Sequence, residues 1–372
     1  MVYVIAKQKA KHNQVTWEDI LFERTIENKF IPYDSTGTIT RVKQNTLIEN
    51  TALSSYIRIF ADFVKKHEAL YKIERHALYN TFYIPKRSGG LRRIDAPKTE
   101  LMQALNELKW IFEKILPMPF HTAAFAYVKG RCCTDAIKRH QRNKSAWFLK
   151  TDFSNFFGST TIDFVMSMIE NIYPFNHLIG ENEEIIRKAI DLAFLNGGLP
   201  QGTPISPLIT NLMMVPIDHR LYNDLAKKNF VYTRYADDIL ISARSKFEYK
   251  EIVEMIGNVL KEFKAPFEIK DKKTRFGSKN GSNWNLGLVL NKDNNITVGH
   301  MNKKYFKAAL NNFLNDYLNK KPWSAEDTMR LAGTIAHYKS IEPEYFNYVI
   351  DHMDQKYHTK TQAIIKKILT NG

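Results

Sequence analysis

Tyr235-Ala236-Asp237-Asp238 lies between two runs of β character, Phe230 to Tyr235 and Asp238 to Ile241, and this stretch restricts the fold of the 372 residues most tightly. Along a continuous strand, neighbouring side chains point to opposite faces. At a hairpin turn the alternation breaks, and two consecutive carboxylates can come near one point. Standing alone, Asp237 and Asp238 would read as ordinary turn residues, because aspartate tolerates left-handed backbone. A third aspartate argues against that reading. Asp152 follows the apolar run Trp147 to Leu149 and Lys150-Thr151, and strand ends are where α/β sheets present chemical groups. Three carboxylates converging from two neighbouring strands suit a pair of Mg²⁺ ions about 3.5–4 Å apart, the arrangement used for in-line phosphoryl displacement. Magnesium prefers oxygen ligands and few protein carboxylates, which fits aspartate. With no His/Cys cluster in the sequence, zinc hydrolysis is not expected.

The formal net charge is +15, the pI is near 9.5, and the basic residues are spread along the whole chain. That distribution suits a folded surface holding a long phosphate backbone, with plain solubility as the alternative. An apolar fraction of 44% supports a globular protein, and the length is enough for one multi-lobed unit or two to three modules. No run of eighteen apolar residues occurs, and Lys7, Lys9, Lys11 and His12 interrupt the beginning. No membrane span or export signal is therefore expected, and the cytoplasm is the expected location. The adjacent Cys132 and Cys133 suit neither an ordinary disulfide nor a zinc site, in keeping with a reducing compartment. His121 and His140 lack a second ligand at metal spacing and read as ordinary polar residues.

Residues 1 to about 75 read as mostly helical, with a stripe through Leu53, Ile57, Phe60 and Phe63. Tyr83 to Lys86 and Leu91 to Ile94 flank Ser88-Gly89-Gly90, a hairpin pattern. Leu101, Leu105, Leu108, Phe112 and Ile115 recur at helical spacing before Pro117. Thr160 with Asp163 suggests a capping box opening a helix through Phe164 and Met168. Ser206-Pro207 suggests an N-cap with proline at the first helical position, launching a helix through Leu212 and Leu221. From His300 the pattern is helical again, with Tyr305, Leu310, Phe313, Leu314 and Tyr317 on one face. No repeat, low-complexity tract or Pro/Gly/Ser linker separates the parts, and the order predicts an α+β centre with a helical C-terminal lobe.

Several blocks flank the acidic turn in a fixed order. They are Ile84-Pro85-Lys86 with Ser88-Gly89-Gly90 and Arg92-Arg93, then Asp152-Phe153 through Phe156-Phe157, then Leu199-Pro200-Gln201-Gly202 with Ser206-Pro207. Beyond the turn, Trp284 to Asn291 looks like a primer-grip hairpin. Arg330-Leu331-Ala332-Gly333 with Ile341-Glu342-Pro343-Glu344-Tyr345 looks like a polymerase thumb. Over roughly residues 75 to 340 the chain resembles the bacterial reverse transcriptases.

The resemblance implies an α+β right-hand polymerase fold. Residues 1–75 would form a helical N-terminal extension, and 76–145 the fingers, interleaved with the palm. Residues 146–298 would form the palm, an antiparallel sheet packed on helices together with the primer-grip hairpin, and 299–372 the helical thumb. It implies template-directed attack of a 3′-hydroxyl, or of a protein hydroxyl, on the α-phosphate of a dNTP. Asp152, Asp237 and Asp238 would be the metal ligands for two Mg²⁺, with Mn²⁺ able to substitute, and Phe153 would add a backbone group. Phe157 would be the aromatic plate under the sugar that selects deoxynucleotides, a ring that clashes with a 2′-hydroxyl and leaves it unsatisfied; the alternative is core packing. Gln201 and Gly202 would meet the incoming nucleotide, or serve only as a helix-initiating loop. Lys86 and Arg92 would clamp the triphosphate; alternation points Arg93 the other way. Gly287 would let backbone approach the primer end, a plain hairpin being an equally good local reading, and Lys303 and Lys304, with Lys307, would contact duplex phosphates or form a solvated face.

The implied partners are an RNA template, expected to be a dedicated non-coding RNA, together with dNTPs and a DNA product, and no membrane. No stretch after the thumb-like segment is long enough for a maturase, nuclease, RNase H or integrase-like domain, which speaks against a mobile-intron enzyme. Retron enzymes carry Asn-Ala-x-x-His after the fingers and Val-Thr-Gly before the thumb. Here Asp135-Ala136-Ile137-Lys138-Arg139-His140 and Asn285-Leu286-Gly287 stand instead. The expectation is therefore a stand-alone enzyme of the retron-related group linked to antiphage defence. A retron-type enzyme making an RNA-linked DNA and a non-catalytic RNA-binding scaffold are the alternatives. An RNA-directed RNA polymerase would put a small or polar residue in place of Phe157.

Overall fold

The computed structural model describes residues 23–24, 30–31, 46–86, 89–115, 120–279, 284 and 287–371. Near the start, β1 (Glu23–Arg24) pairs antiparallel with β2 (Phe30–Ile31), so the first 75 residues are not uniformly helical. The helical reading holds from α1 (Thr46–Lys66) onward. Most of residues 1–45, Ser88, Pro117, Asn285 and Leu286 lie outside the described residues.

The hairpin expected around Gly89-Gly90 is longer than the sequence suggests. β3 (Tyr79–Pro85) pairs with β4 (Leu91–Pro97) from Tyr79 opposite Pro97 to Pro85 opposite Leu91. Gly89 and Gly90 take φ of 87° and 78°, which side-chain-bearing residues rarely adopt. The periodic run after Pro97 is α2 (Thr99–Ile115), and a helix not anticipated from sequence, α3 (Cys133–Arg142), follows. Asp135 accepts from the Cys132 backbone N–H and thiol, a capping box at its start.

β5 (Trp147–Asp152) carries the first aspartate, and α4 (Ile162–Ile169) comes after it. The cap of α4 is Thr161, whose hydroxyl accepts from Phe164 N–H, and not Thr160. Thr160 is buried and donates its hydroxyl to the Phe156 carbonyl, while Asp163 pairs with Arg187 of α5 (Phe175–Asp191). Ser206 is likewise not a cap but the first residue of α6 (Ser206–Met213); the Thr203 hydroxyl accepts its N–H. The helix expected to run on to Leu221 is interrupted: Pro216 lacks an N–H for the ladder, and α7 (Val215–Lys227) starts anew. β6 (Val231–Tyr235) and β7 (Asp238–Ala243) then form the acidic hairpin, followed by α8 (Tyr249–Glu262) and β8 (Arg275–Ser278). A four-stranded sheet has the order β6-β7-β5-β8.

β9 (Val289–Leu290) pairs antiparallel with β10 (Ile296–Thr297) through a turn at Asn291 to Asn295, so the second strand lies beyond the Trp284 to Asn291 stretch expected to form the primer-grip hairpin. Helices α9 (His300–Leu318), α10 (Ala325–Ile341), α11 (Pro343–Lys356) and α12 (Thr361–Asn371) complete the chain. On α9, Leu310, Phe313 and Leu314 are buried as the periodicity predicts, but Tyr305 is 64% exposed. Phe306 takes the core position, edge-on to Phe346 with centroids 4.9 Å apart.

Two compact units divide the chain. The first comprises Met1–Arg131, Lys150–Ile241 and Glu248–Arg275. In it, Phe60 of α1, Phe112 of α2 and Phe175 of α5 form an aromatic cluster, with centroids 5.5 to 6.5 Å apart. Its most demanding feature is Arg234 on β6, whose side chain has no exposure, nor does that of Asp218 on α7. Arg234 Nη2 and Nε donate to Asp218 Oδ2 and Oδ1 at 2.7 and 2.9 Å, and Tyr232 donates to Oδ1 at 2.7 Å. Burial opposes the guanidinium charge, yet Asp218 carries its pKa above the ordinary value.

The second unit comprises Cys132–Leu149, Ser242–Phe247 and Phe276–Gly372. His140 is fully buried there, its Nδ1 2.6 Å from the Ser242 hydroxyl, which donates to Ser145 Oγ at 2.7 Å. Burial, with Arg139 adding to it, lowers the His140 pKa from 6.5 to about 3.

Asp218→Ala strands the buried Arg234 charge and should cost about 3–5 kcal/mol in urea unfolding, whereas Asp218→Leu/Arg234→Met should recover much of the loss. Equal losses in both variants would contradict this account of the pair. Folded His140 resists a proton that the unfolded chain accepts below its ordinary pKa of 6.5. Its contribution to stability therefore shrinks as pH falls from about 6.5 toward 3. Urea midpoints measured across that range should fall less steeply for His140→Asn than for wild type.

Candidate active site

Asp152 is the last residue of β5 and Asp238 the first of β7, neighbouring strands of the sheet. Asp237 occupies the turn between β6 and β7, and Ala236 before it takes φ 57°, the left-handed geometry that breaks strand alternation. The Phe153 N–H donates to the Asp237 carbonyl at 3.2 Å, tying the two aspartate-bearing segments together. Phe153 itself is buried, and its N–H is engaged in that bond.

Two lysines counter the acidic charge. Lys273 Nζ donates to Asp152 Oδ2 at 2.6 Å, and Lys150 Nζ to Asp238 Oδ2 at 3.0 Å. Burial raises the Asp237 pKa, and the charges of Asp152 and Asp238 raise it further. Burial opposes the Lys273 charge, but its bond to Asp152 and the charges of Asp152, Asp237 and Asp238 outweigh burial and raise its pKa. Carboxylates and lysine thus share one electrostatic neighbourhood. Among the described residues no group of three or more His, Cys, Asp or Glu side chains is arranged to hold a metal ion. Asp152 and Asp238 are each paired with a lysine, Lys273 and Lys150. Hard oxygen donors beside a buried Asp237 whose pKa is raised suit a divalent cation, and magnesium sites that draw on substrate phosphates use few protein ligands.

The two adjacent rings diverge. Phe156 is buried against Phe153 and Phe267, with centroids 5.4 and 5.0 Å apart, while Phe157 is half-buried. The Phe157 carbonyl accepts from Leu199 N–H at 3.0 Å, so the ring's backbone is anchored to the Gly/Pro-rich loop. A side chain at Gly198 would collide with the Gly158 carbonyl oxygen, which fixes glycine at this approach. On the other side of the loop, the Gln201 carbonyl accepts from Asp95 N–H of β4 at 2.8 Å. Gly202, at φ 120°, leaves no room for a Cβ, which would lie 2.9 Å from Ile94 and 3.0 Å from the Asp95 carbonyl. The Gln201 side chain stays exposed.

On the hairpin, Arg93 Nε donates to Asp95 Oδ1 at 2.9 Å, whereas Arg92 and Lys86 are exposed. Gly287, Lys303 and Lys304 belong to the other unit. Lys303 pairs with Glu342 at 2.6 Å and lies 4.1 Å over the Tyr345 ring, Lys304 is exposed, and Gly287 takes φ 94°. Sequence reasoning missed Lys150, Lys273, Asp218, Asn211 and Arg234. Lys150 was findable: it stands two residues before Asp152, on the same strand face. Arg234 was also conspicuous as a charge inside an apolar strand. Lys273 left no local signal, being 121 residues from its partner.

Residues 84–305 match the family described as reverse transcriptase (RNA-dependent DNA polymerase). The retron Ec73 reverse transcriptase of Escherichia coli is 30% identical over 274 residues, 71% of this chain and 83% of that protein. The retron Ec83 reverse transcriptase of the same organism is 26% identical over 300 residues, 79% and 91% of the two chains. A solved Candida tropicalis telomerase, truncated from its C-terminal domain, aligns at TM-score 0.42 and 15% identity over 57% of this chain; the chain spans about half of it, 53%. The departures at Asp135 and Asn285 do not separate this sequence from retron enzymes. The family match over more than half its length places this chain among the reverse transcriptases, as a retron-like bacterial RNA-directed DNA polymerase.

Proposed function

We propose that Asp152, Asp237 and Asp238 hold two Mg²⁺ ions and that the enzyme joins dNTPs to a primer end on an RNA template. The observation that carries this reading is the placing of Asp152 and Asp238 at the facing ends of neighbouring strands β5 and β7, with Asp237 tied to the β5 end through Phe153 N–H and its pKa raised by burial and by both neighbours. When bound, the metal supplies charge neutralisation for the triphosphate and for the attacking oxygen. The 3′-oxygen bonds to the α-phosphorus as pyrophosphate leaves, so the task of the chain is positioning. The Phe153 carbonyl would complete the ligand set. Lys86 and Arg92 on the hairpin would hold the triphosphate, with Gln201 and Gly202 beneath the nucleotide. The half-buried Phe157, anchored through its backbone, would stand under the sugar and exclude a 2′-hydroxyl. Gly287, Lys303 and Lys304 would serve primer and template, with Lys303 acting from its place on Glu342. Residues 76–145, 146–298 and 299–372 would be fingers, palm and thumb behind a 1–75 extension.

The likeness to retron reverse transcriptases supports the retron-type reading, in which a dedicated non-coding RNA would be the template and the DNA product would be linked to RNA. The resemblance to stand-alone bacterial enzymes supports a role in antiphage defence, in the cytoplasm. Among the described residues no helix is long and apolar enough to cross a membrane.

Extension of a labelled primer on RNA with Mg²⁺ tests the site. Wild type should incorporate dNTPs, and Asp237→Asn should lose about two orders of magnitude or more in rate while unfolding at the same urea midpoint. Undiminished synthesis by that variant would rule out the ligand assignment. Phe157→Ala should raise ribonucleotide incorporation relative to deoxynucleotides on the order of tenfold; unchanged sugar selectivity would remove Phe157 from the sugar site.

A further inference from the structure

Residues 121–131 belong to no helix or named strand, yet they are fastened beside β6. Arg234 N–H donates to the Ala123 carbonyl at 2.8 Å and Phe125 N–H to the Arg234 carbonyl at 2.9 Å, a parallel bridge alongside the acidic hairpin. Arg131 Nη1 donates to the His121 and Ala124 carbonyls, both at 2.7 Å. Asn211 Nδ2 donates to the Ala126 carbonyl at 2.7 Å, while its Oδ1 accepts from Arg234 Nη1 at 3.1 Å. The same Nη1 donates to the Ala236 carbonyl at 3.0 Å. One buried Asn–Arg pair therefore grips the carbonyl immediately before Tyr127 and the carbonyl immediately before Asp237.

Left-handed backbone adjoins the grip in both segments: Tyr127, just after the gripped Ala126 carbonyl, at φ 59°, and Ala236, which carries the other gripped carbonyl, at φ 57°. Such geometry in non-glycine residues persists only where the surroundings over-determine it, and it clusters at functional sites. Ala123 to Ala126 are all buried, whereas Tyr127 is 60% exposed. A large ring fixed at the rim by a clamped backbone is placed for something other than the core. Partial enclosure and the Asp237 carboxylate raise the pKa of its phenol, with Arg92 opposing, so the hydroxyl remains a donor at neutral pH.

We propose that Tyr127 is a further residue of the nucleotide site, its phenolic O–H donating to the triphosphate of the incoming deoxynucleotide from beside the turn that carries Asp237, to which it is clamped through Asn211 and Arg234. This rests on the reading that Arg92 and Asp237 flank that nucleotide. Hydroxyl donors to phosphate fix orientation as well as affinity.

Steady-state extension on an RNA template, with Tyr127→Phe, Tyr127→Ala and Arg92→Ala beside wild type, tests it. Tyr127→Phe should raise the KM for dNTP and the inhibition constant of inorganic pyrophosphate together, on the order of tenfold. kcat and the KM for primer–template should stay within about twofold, at an unchanged unfolding midpoint. If Arg92→Ala raises the dNTP KM and neither Tyr127 variant does, the proposal is overturned while the site stands. If none of the three moves it, the proposal falls together with the site it rests on. A rise confined to the primer–template KM would assign Tyr127 to the duplex and also overturn it.

Discussion

An ion pair withdrawn from solvent, Arg234 with Asp218, sets the geometry on which the acidic hairpin depends. The guanidinium satisfies its donors on Asp218, on Asn211 and on the Ala236 carbonyl, so the charge that β6 buries also fixes the turn. Burying a charge pair costs desolvation that the mutual attraction barely offsets, which makes such a pair weak support for stability. What this pair does is specify a position, that of Asp237, one residue past the gripped carbonyl. The left-handed Ala236 then has a structural cause: the turn is held from inside the unit, not from the solvent side.

A second constraint is charge balance. Three aspartates at adjacent strand ends repel one another, and burial adds to the cost at Asp237. Lys150 and Lys273 offset this by pairing with Asp238 and Asp152. The arrangement keeps a strongly acidic point within a folded, highly basic chain of net charge +15, the contrast expected where a cation and a phosphate backbone must both be held. The Gly/Pro-rich loop is positioned by sterics instead of charge. Gly198 and Gly202 let it lie against Gly158 and Asp95, so Phe157, Gln201 and β4 are referenced to one another through backbone contacts.

The parts of this arrangement legible in the sequence were those encoded locally. The acidic turn, the Gly89-Gly90 hairpin and the first helix after Pro97 each carry their signal within a few residues. Capping was legible only approximately, because Thr160 and Thr161 are chemically equivalent and burial decides which hydroxyl meets the helix. The break at Pro216 was visible in principle but was overridden by the apolar periodicity through Leu221. On α9 the face predicted through Tyr305 shifts by one residue to Phe306, the ring without a hydroxyl to solvate. Lys273 and the shared grip of Arg234 and Asn211 were not legible, since each depends on which distant segments the fold brings together.

Whether the three aspartates constitute one cation site is tested most directly by manganese electron paramagnetic resonance on the whole protein, without substrate and with dNTP. Wild type should bind Mn²⁺, more tightly once dNTP supplies phosphate oxygens, and Asp152→Asn/Asp237→Asn/Asp238→Asn should lose that binding while remaining folded by circular dichroism. Equal Mn²⁺ binding by the folded triple variant and by wild type would contradict the assignment.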